Sequence, residues 1–448
     1  LIPRGHEDAG SQSPTEDGPD YRFQFDATMP IEDAATASPV PGCPDGGHTT
    51  LSGTVFAPNG TLPLYNVIVY APTEDPQPLP QGAGCEPCGA LNSAKASATA
   101  LSDAHGHFVL VDPPTGPGVR LAVQVGKWRR QVILPNVIAC VDNPLYDADY
   151  TRLPRTRSEG EMPRIAVTTG GADQIACMLP KVGVDSSEFG VAGATAVTFY
   201  AGGGGRGMAG IRDAKTLWND LNEMMQYDML ILSCEGTEDV DTLGDAGAML
   251  GLGGTKDSAS FAAMTQYLAA GGRIFGTDYM YTVWKDSPDP SLAMAATIPG
   301  GAPVGGRAVS LDTSFPKGKA LADWLAWLYP MQAYGTTTLD LVFNNISAAN
   351  TGTTQVWGRG ADSAAHPRFM TVNTPAGEPP AQQCGKAVHL DAHVNTMDSV
   401  DSTYPAGCVS DFSAAEKTFA FFFFDLASCI QIESEPPRPP PPTNPPPR

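Results

Sequence analysis

The feature that most constrains this chain is a change of hydrophobic period near residue 163. Upstream, between about residues 48 and 142, apolar residues alternate in short runs broken by turn formers. Downstream, short apolar runs take turns with stretches whose apolar residues recur at helical spacing. The first pattern belongs to half-buried strands and the second to strands crossing over through helices. At 448 residues the chain is too long for one ordinary core, and two domains plus tails are expected.

In the first region, "TTLSGTVFAPNG" is a strand ending in an Asn59-Gly60 turn, and "PLYNVIVYAP" sets Val67 and Val69 opposite Ile68 and Tyr70. "ATALSDAHGHFVLVD" is two strands around a turn on Asp103 and Gly106, and "VRLAVQVGKWRRQVIL" is a further hairpin. Short strands at this spacing predict a β-sandwich over 46–142. Residues 1–45, acidic and rich in Pro, Ser and Thr, are expected to be a disordered or extended arm. Residues 143–162 read as a linker, and 433–448, with "EPPRPPPPTNPPPR", as a polyproline tail.

The segments "SGTVFAPNG", "PLYNVIVY" and "ATALSDAHGHFVL" together resemble the carboxypeptidase regulatory-like, transthyretin-like sandwich. The insertion "TEDPQPLPQGAGCEPCGALNSAKA" departs from that outline. Such modules are generally accessory and several relatives bind carbohydrate, so the resemblance implies a scaffold or binding role.

From 163 to 432 the pattern predicts an α/β domain with a doubly wound, mostly parallel sheet. "PRIAVTTGGAD", "TAVTFYAGGGG", "DMLILS" and "RIFGTD" are strands; "RFMTVNT" and "KAVHLDAHV" supply late ones. "DAKTLWNDLNEMMQ" reads as one helix with Leu217, Leu221 and Met224 on a face and Asp213 as its cap. "SASFAAMTQYLAAGG" and "PKGKALADWLAWLYP" are helices, and "SAAEKTFAFFFFDLASC" is a buried one opened by a Ser413–Glu416 capping box. The run from "YDMLILSCEG" through "YLAAGGRIFGTD" to "HLDAH" resembles the class I glutamine amidotransferase-like, flavodoxin-like fold, including its non-catalytic trehalose-utilisation-type relatives. Segment 279–365 is longer and more irregular than that fold needs.

Forty-eight acids against 27 bases give a formal charge of −21, which argues against nucleic-acid or anionic-membrane partners. No apolar run reaches the length of a membrane-spanning helix. Nine cysteines, with a lone CxxC at Cys85 and Cys88, fit disulfides in an exported protein better than a zinc motif. The opening "LIPRGHEDAG" reads as the start of a processed chain, and a secreted or cell-surface location is expected. No cofactor is implied. The expected partners are carbohydrate, a cell surface or further copies of the chain.

Ligands of a doubly wound sheet collect beyond the carboxyl ends of its strands. Cys234, Asp278, Asp391 and His393 fall there, as do Gly203 and Gly204 in the "AGGGG" run. Cys234 with His393 and Asp391 is the candidate nucleophilic set. Its surroundings, Ser233-Cys234-Glu235-Gly236, lack a glycine two residues before the cysteine, and the acidic continuation works against a thiolate. A structural cysteine is the competing reading. His389, Asp391 and His393, spaced by two on a strand, offer metal donors along one face. Asp278 and the amides of Gly203 and Gly204 are candidate ligand-binding groups, the latter for an anion. Glu235, Asp239, Asp241 and Asp245 offer oxygens for calcium, set against an ordinary solvated loop. Lys127, Arg129 and Arg130 are either a small basic patch or an exposed strand face. The expected function is an exported, non-catalytic binding or structural surface protein. The alternative is a cysteine-dependent hydrolase or amidotransferase-like enzyme using Cys234 and His393.

Overall fold

The computed structural model describes residues 42–43, 46–85, 95–205, 208–238, 256–361, 365–428 and 430–439. All of them belong to one unit, residues 37–448. The arm expected over 1–45, apart from 42 and 43, and the tail from 440 onward lie outside the described residues.

Seven strands come first: β1 (Thr50–Thr54), β2 (Ile68–Pro72), β3 (Ala96–Leu101), β4 (His107–Val111), β5 (Gly116–Val125), β6 (Trp128–Val137) and β7 (Asp142–Leu145). They form a three-stranded sheet in the order β4-β1-β7 and a four-stranded sheet in the order β3-β2-β5-β6. Alternation sets which side chains turn inward, as β4 shows with Phe108 and Leu110 buried between exposed His107, Val109 and Val111. Leu51, Phe108 and Leu110 of one sheet share an apolar cluster with Val69, Leu121 and Val123 of the other.

The stretch read as a linker is more than that. It continues β7, which pairs in parallel with β1, and then buries Arg152 and Leu153. Arg152 is held there by Asp149 and Glu159 at 2.6 and 2.7 Å. Cys43 is tied to Cys140 by a disulfide.

A large mixed sheet comes next in the chain. Its strands are β8 (Ile165–Thr169), β9 (Phe189–Gly190), β10 (Val197–Ala201), β11 (Arg212–Asp213), β12 (Met229–Leu232) and β13 (Arg273–Thr277). Later in the chain come β14 (Ala296–Thr297), β15 (Pro303–Val304), β16 (Ala308–Leu311), β17 (Thr336–Thr338), β18 (Leu341–Phe343), β19 (Ala348–Ala349), β20 (Thr354–Gly360), β21 (Pro367–Thr374), β22 (Gly385–Leu390) and β23 (Ala392–His393), of which β14 with β19, and β15 with β18 and β23, form small sheets of their own. The sheet runs β11-β10-β8-β12-β13-β22-β21-β20-β16-β17, with β9 beside β10. It is parallel from β11 to β22 and antiparallel beyond. The five central parallel strands, taken in chain order, lie 2-1-3-4-5, the doubly wound order with its switch point between β8 and β12. These strands are buried along nearly their whole length, as strands covered on both faces must be. The irregular segment 279–365 supplies much of the antiparallel wing, β16, β17 and β20.

Three longer helices pack on this frame: α1 (Ser258–Ala269), α2 (Pro316–Leu328) and α3 (Ala414–Ala427). Asp257 caps α1 in a box with Ser260, and Ser413 caps α3 in the expected box with Glu416. α3 is apolar nearly all round and therefore interior. Its Phe423 and Phe424 meet Trp128, Phe419 meets Phe275 of the large sheet, and Phe421 meets Tyr65 and Trp324. The single helix expected over 213–226 is instead two short ones, Lys215–Trp218 and Leu221–Met224. Asp220 takes an extended conformation and accepts from the amides of Asn222 and Glu223, which starts a new helix. The beginning of the tail is anchored, because Glu433 pairs with buried Lys386 and Lys317.

Candidate functional site

Four of the five central strands deliver polar groups where their apolar runs stop. β8 ends at Gly170-Gly171 and leads to Asp173; β12 ends before Cys234 and Glu235; β13 ends at Thr277 and then Asp278. Beyond β22, the chain presents Asp391 and, on β23, His393. β23 pairs with β18, so Asn345, just past β18, arrives at the same place. Strand spacing at the start of the loops is tight. A Cβ on Gly170 would stand 2.1 Å from the carbonyl oxygen of Cys234, so only glycine lets these two turns pass.

Asp278 is the hub, held at a φ of +46° that few non-glycine residues adopt. Its Oδ2 accepts from the Cys234 thiol at 3.2 Å and lies 3.0 Å from His393 Nε2. Its Oδ1 accepts from Asn345 Nδ2 at 2.7 Å. The same amide nitrogen donates to Asp391 Oδ1 at 2.8 Å, and Arg368 approaches Asp391 Oδ2 at 3.4 Å. Asp173 accepts from the backbone amides of Val394 and Asn395, both at 2.9 Å, and so fixes the segment carrying His393. Phe343 lies against the His393 ring, and Tyr279 against Phe343. The result is closed. Cys234, Asp278, Asn345 and Asp391 are 0% exposed and His393 6%.

Burial and the Asp278 charge push the Cys234 thiol well above its ordinary range. Burial works against a charge on His393, yet the hydrogen bond to Asp278 and the charges of Asp173 and Asp278 outweigh it and raise its pKa. Desolvation raises Asp173 and lifts Asp391 to about 8, although Asn345 and Arg368 pull the latter down.

Cys234, Asp278, Asp391 and His393, expected at the strand ends, do meet there, but not as a cysteine–histidine couple. In a nucleophilic pair the imidazole takes the thiol proton. Here the carboxylate stands between the two, and Cys234 gives its hydrogen bond to Asp278. The ligating atoms of Cys234, Asp278 and His393 all lie within 4.8 Å of one another, a sulfur, oxygen and nitrogen set of the kind that suits zinc or a similar ion. The donor set expected along one strand face does not assemble. His389 points among Tyr281 and Trp284 with neither ring nitrogen hydrogen-bonded, Asp391 goes to Asn345, and His393 goes to Asp278. Strand pleating repeats every two residues, but β22 ends at Leu390 and the turn into β23 redirects the side chains beyond it.

The glycine run is filled from within. Gly203 N donates at 2.7 Å to Oε1 of Glu235, whose other oxygen pairs with Lys256 Nζ at 2.6 Å. Lys256 stacks over Trp218, and both ions are 0% exposed. The Gly203 amide thus already holds an anion, a carboxylate of this chain, and Gly204 bridges Gly170. Glu235 is accordingly not open as a calcium ligand; Asp239, Asp241 and Asp245 lie outside the described residues. The three bases of "GKWRRQ" are not a patch. Lys127 is buried against Asp228 at 2.9 Å, Arg129 pairs with Glu161, and Arg130 donates to the carbonyl of Asp149.

Sequence reading missed Asn345, Arg368, Asp173 and Lys256. Only Asp173 carried a signal, as an acid shortly after a glycine pair that ends a strand.

No family model matches the chain, and no curated protein matches it. Among solved structures, a ThuA-like protein from Bacteroides uniformis is similar at 9% identity over 58% of this chain and 89% of that one, with a TM-score of 0.32. A ThuA-like protein from Parabacteroides merdae is similar at 10% identity, over 60% and 92%, with a TM-score of 0.33. A cytoplasmic protein from Salmonella typhimurium is similar at 10% identity, over 60% and 100%, with a TM-score of 0.31.

Proposed function

We propose that this chain is an exported, non-catalytic binding or structural protein, in which the strand ends of the large sheet hold the fold together. The observation that carries the reading is the state of Cys234: fully buried, with its proton committed to Asp278. A thiol attacks only as the thiolate, and low dielectric plus an adjacent carboxylate disfavour that form. The glycine loop supports the same reading, since Glu235 already fills it. Among the described residues three disulfides, Cys43–Cys140, Cys85–Cys384 and Cys177–Cys408, fit folding in an oxidising compartment. The first two sheets, with their resemblance to accessory sandwich modules, are the proposed binding part, with carbohydrate, a cell surface or another copy of the chain as its partner.

One observation favours a second reading, a cysteine-dependent hydrolase. His393 Nε2 reaches the same carboxylate oxygen as the thiol, so a modest rearrangement brings base and nucleophile together. Labelling of the native protein with a small disulfide reagent at neutral pH, with the modified peptide located by mass spectrometry, separates the two. Protection of Cys234 until the protein unfolds supports the binding reading. Prompt labelling of Cys234 that also abolishes hydrolysis of an activated ester overturns it. Co-sedimentation with insoluble polysaccharides and sedimentation velocity of the chain alone then test the partner classes.

A further inference from the structure

A second donor cluster lies on the surface, far in sequence from the one above. Asp103 and His105 lie in the turn between β3 and β4 and His107 opens β4, and their ligating atoms all lie within 4.8 Å of one another. The turn is built rather than incidental. Asp103 Oδ1 accepts from the backbone amides of His105 at 2.8 Å and His107 at 2.9 Å, which fixes the carboxylate beside both histidines. Gly106 between them has a φ of +78°, and a Cβ there would stand 2.9 Å from the Val55 carbonyl and from Pro63. That left-handed residue reverses the chain so that the two rings come near each other. β4 then locks His107 into the sheet opposite Thr54. His105 packs against the exposed ring of Trp327, with centroids 4.9 Å apart.

We propose that Asp103, His105 and His107 form a surface site for a borderline divalent transition-metal ion such as Zn²⁺, Ni²⁺ or Cu²⁺, completed by water. Two imidazoles and one carboxylate suit these ions rather than calcium or magnesium, which take oxygen shells. Ligands bound at about 2.0–2.2 Å stand roughly 3–4 Å apart. The exposed His107 ring reaches that spacing by rotation about its own torsions, while Asp103 stays held by the amides of His105 and His107. Nothing else in the proposed function depends on this site.

The test uses the full chain, stripped with a chelator, in equilibrium dialysis against Zn²⁺ or Ni²⁺. The parent is expected to retain one equivalent more than the H105A/H107A double variant, and single loss of either histidine to weaken binding at least about 10-fold. Any ion held by Cys234, Asp278 and His393 is retained equally by both proteins and drops out of the difference. Trp327 supplies a second readout, since it is 56% exposed while the other five tryptophans are buried. Cu²⁺ should quench its emission in the parent, but not in W327F or in the double variant. Equal retention by parent and double variant, or no retention by the parent at micromolar free metal, would overturn the proposal.

Discussion

Two clusters of similar composition, Asp103 with His105 and His107, and Asp278 with Cys234 and His393, behave as opposites. The first sits on a turn at the surface, where its groups can exchange solvent for a ligand at little cost. The second sits beyond the ends of parallel strands, where water is excluded and Asp278 is already engaged by Cys234, His393 and Asn345. On the reading proposed above, similar side chains make a docking point in one place and a structural knot in the other. Solvent access, not residue identity, decides which.

The largest effect is expected at the buried end. Lys256→Ala should destabilise the protein by about 3–5 kcal/mol, because it leaves Glu235 charged, buried and held only by an amide. A loss below about 1 kcal/mol in urea unfolding would mean that water reaches the strand ends. The disulfide Cys85–Cys384 ties residues 299 positions apart, joining the insertion after β2 to the approach to β22. The double variant C85A/C384A is expected to lose about 2–4 kcal/mol, measured the same way.

His389 sharpens the contrast through pH. Burial lowers its pKa to about 3, below an unfolded value of about 6.5, so the unfolded state binds the extra proton between these limits. Its contribution is present above pH ~6.5 and is lost as pH falls, at about 1.4 kcal/mol per pH unit. Asp391, raised to about 8, acts in the other direction and costs stability as pH rises from its ordinary value of about 3.9 to about 8. In His389→Leu the acid-side loss should vanish and the Asp391 slope remain. Urea midpoints of variant and parent that run parallel between about pH 4 and 6.5 would refute this assignment. Smaller still, Cys234→Ala removes the hydrogen bond to a carboxylate that keeps His393 and Asn345, together with the one that Sγ accepts from the Gly236 amide, and should cost about 1–2 kcal/mol. At the exposed cluster, His105→Ala should change stability by no more than about 0.5 kcal/mol. That pair of values, from one thermal or urea series, states the difference between the clusters directly.

How much of this was legible in the sequence depended on where the information about each contact resides. Cys234, Asp278 and His393 were placed correctly because the end of an apolar run marks the end of a strand, and strand ends converge in a doubly wound sheet. The capping box at Ser413 and the buried run of phenylalanines in α3 were likewise local signals. Asn345 and Arg368 could not be found that way, since their approach to Asp391 depends on the pairing of β18 with β23 and of β21 with β22. Lys127, Arg129 and Arg130 read as a small basic patch or an exposed strand face, and Lys127 and Arg129 are neither, because their partners Asp228 and Glu161, like Asp149 beside Arg130, are remote or outside the strand. β7 was hidden in an apparent linker for the same reason: its ladder partner, β1, lies some ninety residues earlier. Asp220 misled differently, as a residue that helical periodicity tolerates but that in fact caps a new helix.

The central claim is that the thiol of Cys234 does not ionise in the folded protein. Thiolate absorbance in the ultraviolet, recorded as the difference between the parent and Cys234→Ala over about pH 5–10, measures this directly. The account predicts no step attributable to Cys234 before the protein unfolds. A step near neutrality that disappears in His393→Gln would contradict it.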